Sequence, residues 1–248
     1  MASLKIAHMA TWAPRLAGAV KRVHELVPQC DLVRVYANAL PEIPAQLRGY
    51  QDQGVLEWYG TGADLGSQGK LFWLHEDRDH YYLCVDDDII YPMGYADFMV
   101  KACDKYEGKA LISMHGGRFR IHGTGLLPQD RPCKSVRRLN TYDTLNAFDI
   151  GAHILGNGVS IYRPGIVHMT GAVIQGPWGS GDDEDVAVFA QRRRIPCVVC
   201  AHPGRWVLPD NEHWPVQALH MNKPMQGLSD IKLKQWRNWQ ITPAQETR

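Results

Sequence analysis

The sequence predicts an α/β fold built on a mainly parallel sheet, and three observations carry that expectation. Short apolar runs alternate with stretches of helical periodicity along the first half of the chain. Several runs, "YYLCV" at 81–85 above all, are apolar enough to be strands of a sheet interior. The 248 residues, 45% hydrophobic and 21% charged, suffice for one large domain with a sizeable core.

The elements follow in order. "LKIAHMA" (4–10) reads as a first buried strand and "TWAPR" as the breaker after it. "LAGAVKRVHELV" places apolar residues at helical spacing and ends near Pro28. "DLVRVYAN" is a second strand, "PEIPAQLRGY" a short helix or turn, and "VLEWYG" a third strand. "GADLGSQGKLFWLHEDRD" runs from a Gly-rich loop into a helix, and "YYLCVDDDIIYP" supplies the fourth strand. A helix over 94–107 and a strand over 109–116 come next. Residues 117–140, rich in Gly, Pro and basic side chains, read as a long loop or flap. "AHILGNGVSIYRPGIV" resumes strand character, "DDEDVAVFAQRRRI" is a helix, and "PCVVCAHP" is a late strand. The expected organisation is one domain over 1–227, with 228–248 as a tail packing on or covering it.

Charge narrows the function classes. Lys plus Arg number 27 against 26 Asp plus Glu, a formal net charge of +1. Any affinity for nucleic acid or an anionic membrane must therefore come from local patches. No run of 18 apolar residues and no basic-then-apolar leader is present, so no transmembrane segment and a cytoplasmic location are expected. The six cysteines then read as reduced thiols. Cys197 and Cys200 make a C-x-x-C, but three-residue spacing on a strand points the two side chains to opposite faces.

Asp86, Asp87 and Asp88 are the first candidate site. In open α/β sheets ligands bind beyond the carboxyl ends of the strands, where this triplet falls. Three adjacent carboxylates repel, and water, basic side chains or a metal ion could compensate them. Asp86 and Asp88, two apart, can approach one side of a strand end, with Asp87 directed elsewhere. Hard oxygen ligands of this kind suit Mg2+ or Mn2+, which keep several waters and accept substrate phosphate oxygens. A second acidic cluster, Asp182, Asp183, Glu184 and Asp185, opens the helix after "GPWGSG". Capping and the macrodipole account for one or two such residues, with a lowered pKa, and four exceed that need.

"CVDDDIIYP" resembles the D-x-D motif of GT-A-type, nucleotide-sugar-dependent glycosyltransferases. "KIAHMATWAPR", "DLGSQGKLFWL" and "HILGNGVSIYRPGIV" resemble further landmarks of that family in the right order, so the likeness covers about residues 4–202. The resemblance implies a GT-A-like single domain with a Rossmann-like sheet flanked by helices. It implies Thr11 and Arg15 near the donor's base or ribose, Lys70 and Asp87 beside the donor, and Asp86 near the ribose. Asp86 and Asp88 would hold the ion, with Asp88 the firmer ligand and His202 a third; His220 is the alternative to His202. Gly156, Asn157 and Gly158 would face the sugar and acceptor. In inverting members an E-D pair opens a helix and its aspartate is the base, which makes Asp183 the candidate, with Asp182 and Asp185 open. Trp178 could stack on an acceptor sugar or pack in the core.

The expected activity is metal-dependent transfer of a sugar from a nucleoside diphosphate, a UDP-sugar by resemblance, to a glycan, lipid-linked or nucleic-acid acceptor. Arg131, Lys134, Arg137 and Arg138 could neutralise the donor or be simply solvated, and Arg118 and Arg120 keep a DNA-modifying enzyme in view. A binding module without turnover is the reading from another class. An aspartate-nucleophile phosphatase would carry its motif on the first strand, and "GSQGKL" is no P-loop, since position 64 is Asp and Leu71 replaces Ser or Thr.

Overall fold

The computed structural model describes residues 3–60, 62–74, 80–119, 137–163, 181–210, 212 and 239–244. Its centre is an eight-stranded sheet in the order β3-β2-β1-β4-β11-β6-β12-β9. The strands are β1 Lys5–Trp12, β2 Leu32–Asn38, β3 Leu56–Tyr59, β4 Tyr81–Asp86, β6 Leu111–Ser113, β9 Ile150–Gly151, β11 Val159–Tyr162 and β12 Cys197–Val199. β1, β2, β3 and β4 are mutually parallel, as are β6 and β12. β11 runs antiparallel between β4 and β6, and β9 antiparallel to β12 at the edge. Six strands thus end, and β11 and β9 begin, along one edge of the sheet. That edge collects the candidate residues.

Two apolar layers hold the sheet, and the period-two alternation of each strand decides which side chain joins which. Met9, Val35, Leu83, Val85 and Ile112 pack on one face with Val23 and Leu26 of helix α1 (Leu16–Leu26) and Met99 and Cys103 of α3 (Tyr95–Asp104). Ile6, Tyr82, Cys84, Leu111 and Tyr162 face the other way, onto Leu71, Leu74, and Val186 and Ala190 of α4 (Asp182–Arg193). Cys200 belongs to the first layer and Cys197 to the second, so the C-x-x-C pair is split across the sheet. Burial pushes both thiols up to about 12, which leaves them protonated and inert at neutral pH.

Three segments depart from the sequence reading. β1 extends through Trp12, and a 3-10 turn, Ala13–Arg15, carries Pro14 where its missing N–H costs nothing. "GSQGKL" is a 3-10 helix, Gly66–Leu71, rather than the start of an α-helix. Gly69 presses on the Tyr36 ring (an added Cβ would lie 2.5 Å from Cδ1), and glycines weaken an α-helix there. The expected flap begins and ends as strands: β7 (Gly116–Phe119) pairs antiparallel with β8 (Arg137–Asn140), and β10 (Ile154–Leu155) joins on β7's other side. Gly and Arg in these strands disguised them as loop. Trp239 is buried against the rings of Phe119 and His153, and Gln240 exchanges two hydrogen bonds with Gln191 of α4.

Candidate functional site

The aspartate triplet turns at the end of β4. Two short strands follow: β5 (Ile89–Ile90) pairs with β13 (Leu208–Pro209), and the Asp210 N–H donates to the Asp88 carbonyl at 2.8 Å. Tyr91 fastens the turn from below. Its hydroxyl accepts the Asp86 N–H at 2.7 Å and donates to the Gly158 carbonyl at 2.5 Å, tying the triplet to the loop that opens β11.

The three carboxylates part company. Asp87 points inward, accepting the Thr11 hydroxyl at 2.8 Å and lying 3.2 Å from Arg15 Nε. Arg15 Nη2 also pairs with Asp88. Asp86 pairs instead with Lys70. Burial, outweighing Arg15, pushes the Asp87 carboxyl up to about 7. Asp88 is raised by burial and then by the charge of Asp86, so these two carboxylates lie close enough to repel. Thr11 and Arg15, expected beside a donor base, here buttress the turn.

Lys70 joins this turn to the second acidic cluster. Only 2% exposed, its ammonium pairs with Asp86 and, at 3.1 Å, with Asp182 at the start of α4. Burial opposes its charge, but Asp182, Asp86 and Asp183 together hold its pKa well above the ordinary lysine value. The lysine expected next to the donor is thus enclosed between carboxylates from two distant parts of the chain. Asn38 sets the 3-10 segment that carries it: its amide donates to the Thr11 and Gly66 carbonyls at 3.0 Å each, and its Oδ1 accepts the Leu65 N–H at 2.8 Å.

The α4 acids have divided tasks. Gly181 at the N-cap supplies no side-chain cap. Asp182 meets Lys70, Asp185 accepts from Gln68, and Asp183 accepts the Asn157 backbone N–H at 2.8 Å. Among the described residues no cation lies within ion-pair distance of Asp183. The sequence predicts a depressed pKa for a helix-terminal acid, and the structure reverses that: burial, Asp182 and Glu184 hold Asp183 well above the carboxylate range, with the Asn157 N–H pulling the other way.

Glycines shape the third wall. A Cβ on Gly158 would fall inside the Asp86 carboxylate, and one on Gly156 would lie 2.6 Å from His115 Cδ2. Asn157 between them is fully buried, its Oδ1 accepting the Tyr162 hydroxyl. Sequence reasoning missed Asn38, Gln68, Tyr91, Tyr142 and Tyr162. Tyr142 stands 5.8 Å, ring to ring, from His115, and burial with the nearby charges of Asp88 and Asp86 raises its phenol. Asn38, the last residue of its strand, was recoverable by the same rule that picked out the triplet; nothing in the sequence flags Tyr142.

Asp86 and Asp88 offer hard carboxylate oxygens whose mutual repulsion a divalent ion would relieve, and this donor set fits Mg2+ or Mn2+. Among the described residues no three His, Cys, Asp or Glu side chains gather to hold an ion, so His202 is not brought to these two aspartates as a third ligand. His202 is buried beyond β12, with Nδ1 3.1 Å from the Pro203 carbonyl. An ion here would complete its shell with water and substrate oxygens. Trp178, His220, Arg120, Arg131 and Lys134 lie outside the described residues, and no described helix is long and apolar enough to cross a membrane.

No protein-family model matches the sequence, and no curated protein is similar to it. Among solved structures, one described as "Crystal structure of 4-diphosphocytidyl-2C-methyl-D-erythritol synthase" aligns with 93% of this chain and 100% of its own, at 11% identity and a TM-score of 0.43. The fold assignment rests on the strand order above, not on that likeness.

Proposed function

We propose that this protein is a glycosyltransferase that moves a sugar from a nucleoside diphosphate to an acceptor hydroxyl with inversion, Asp183 acting as general base. One observation carries the reading: Lys70 draws the D-x-D turn and the acidic start of α4 to a single edge of the sheet. Such a reaction needs two opposed electrostatic tasks side by side. A proton must leave the attacking hydroxyl, and negative charge must be accommodated on the departing diphosphate.

The four α4 acids now differ in fitness for the first task. Asp182 is neutralised by Lys70 and Asp185 accepts from Gln68, whereas among the described residues Asp183 accepts a backbone N–H and makes no ion pair. A raised proton affinity makes Asp183 a stronger acceptor than an ordinary carboxylate. It would take the hydroxyl proton as the acceptor oxygen bonds to the anomeric carbon and the carbon–phosphate-oxygen bond breaks. Asp86 and Asp88 would hold Mn2+ or Mg2+, which when bound supplies positive charge for the leaving group. Arg15, anchored on Asp87 and Asp88, adds a fixed cation at the same turn.

A panel of nucleotide sugars, with UDP-sugars first, tests this by manganese-dependent thermal shift and then by donor turnover. The expected result is a shift with one donor class, turnover with manganese, and loss of turnover in Asp88→Ala. Donor binding that is indifferent to chelator, without turnover, would instead identify a nucleotide-sugar binding module. Turnover that survives Asp88→Ala would overturn the metal assignment.

A further inference from the structure

We infer that Tyr162 is a positioning residue that acts through Asn157 on Asp183, an assignment that rests on the glycosyltransferase reading above. The relay is built entirely from buried groups. Ser160 Oγ donates to the Tyr162 hydroxyl at 2.9 Å, and that hydroxyl donates to Asn157 Oδ1. Asn157 in turn directs its backbone N–H at Asp183 Oδ1, 2.8 Å away. Ser160, Tyr162 and Asn157 are each fully buried.

The arrangement exceeds what packing requires. A phenylalanine at 162 would fill the same space against Cys84 and Leu111 in the apolar layer beneath α4. The hydroxyl instead fixes which end of the Asn157 carboxamide faces the core. With Oδ1 engaged, Nδ2 is the free end, and it has no hydrogen-bond partner among the described residues. A buried amide donor left unmatched is costly in a folded chain and finds its use when a ligand oxygen arrives. Asn157 therefore offers two donors, the backbone N–H to the base and Nδ2 to a substrate oxygen, both oriented by one phenol.

Among the described residues the charged and titratable groups around Asp183 are Asp182 and Glu184 on its own helix, Lys70 on the 3-10 segment and Tyr162 on β11. The Asn157 N–H, and after it Lys70, favours the ionised base. Loosening Asn157 should accordingly move Asp183 toward higher pKa.

The test follows the Asn157 backbone amide by NMR as pH is varied, in the full chain and in Tyr162→Phe. The amide shift reports ionisation of Asp183 directly, and its midpoint should rise by about half a pH unit or more in the variant. The acidic limb of kcat should move the same way, with kcat about tenfold lower and donor affinity retained. Ser160→Ala should do the same to a smaller extent, and adding Tyr162→Phe to Asn157→Ala should change little further. An unchanged midpoint in a folded Tyr162→Phe overturns the positioning role. A shifted midpoint alongside full turnover in Asp183→Asn would instead leave the relay standing and remove the base.

Discussion

Two acidic clusters meet at this site, and they are compensated by different means. The triplet at 86–88 is neutralised by side-chain cations: Arg15 serves Asp87 and Asp88, and Lys70 serves Asp86. The cluster at 182–185 opens a helix whose dipole already favours negative charge, and its first member, Asp182, pairs with the same Lys70. Asp185 accepts from Gln68 and Asp183 from the Asn157 N–H, both neutral donors. A carboxylate bonded to a cation is a poor proton acceptor but a good anchor for positive charge; one facing a single amide is the reverse. The contrast assigns charge handling to the first cluster and proton handling to the second.

Lys70→Met should break the comparison most completely, because it removes the cation that, among the described residues, pairs with both clusters. Asp86 and Asp182 would then stand close together without a counter-charge, and losing one partner of a buried pair costs about 3–5 kcal/mol. Urea unfolding at pH 7 should show a loss of that order. A loss below about 1 kcal/mol would mean that the two clusters are held together by something else.

Asp183→Asn should separate function from stability. Turnover is expected to fall about 10²- to 10⁴-fold while donor binding is kept. Stability should respond in the opposite sense to Lys70→Met. Because its folded pKa lies above the unfolded value of about 3.9, native Asp183 keeps a proton that the unfolded chain has released. Native stability therefore declines as pH rises from that unfolded value toward the folded one, and the asparagine abolishes the decline. Unfolding at pH 5 and pH 8 should show the variant gaining on the parent at the higher pH; a parallel loss at both would contradict the proton-handling role.

Much of the sheet was legible because period-two alternation and β-branched runs survive in the sequence: Leu32–Asn38 and Tyr81–Asp86 fall where apolar runs placed them, and Lys5–Trp12 starts with its predicted run and continues through the expected breaker. The antiparallel insertion of β11 was not, since a four-residue run such as "VSIY" carries no direction. The strand pair Gly116–Phe119 and Arg137–Asn140 was hidden by Gly and Arg, which local patterning assigns to loops. In the site, individual acids could be named but not their partners. Gln68 and Tyr162 become informative, and Lys70 acquires its acidic partners, only when the fold brings residue 70 to 182, 68 to 185 and 162 to 157. A raised pKa at Asp183 was out of reach for the same reason. Sequence shows a helix start, whereas the shift comes from burial and neighbours.

The finest discrimination lies within α4 itself, between neighbours two positions apart. Asp185→Asn keeps an oxygen that can accept from Gln68 and removes only the charge. Turnover should drop by less than about threefold, against the far larger fall at Asp183. Single-turnover rates of the two asparagine variants, measured side by side with one donor, give the ratio. Equal losses would show that the first turn of α4 acts as one diffuse negative patch, and that the amide bond from Asn157 does not single out a base.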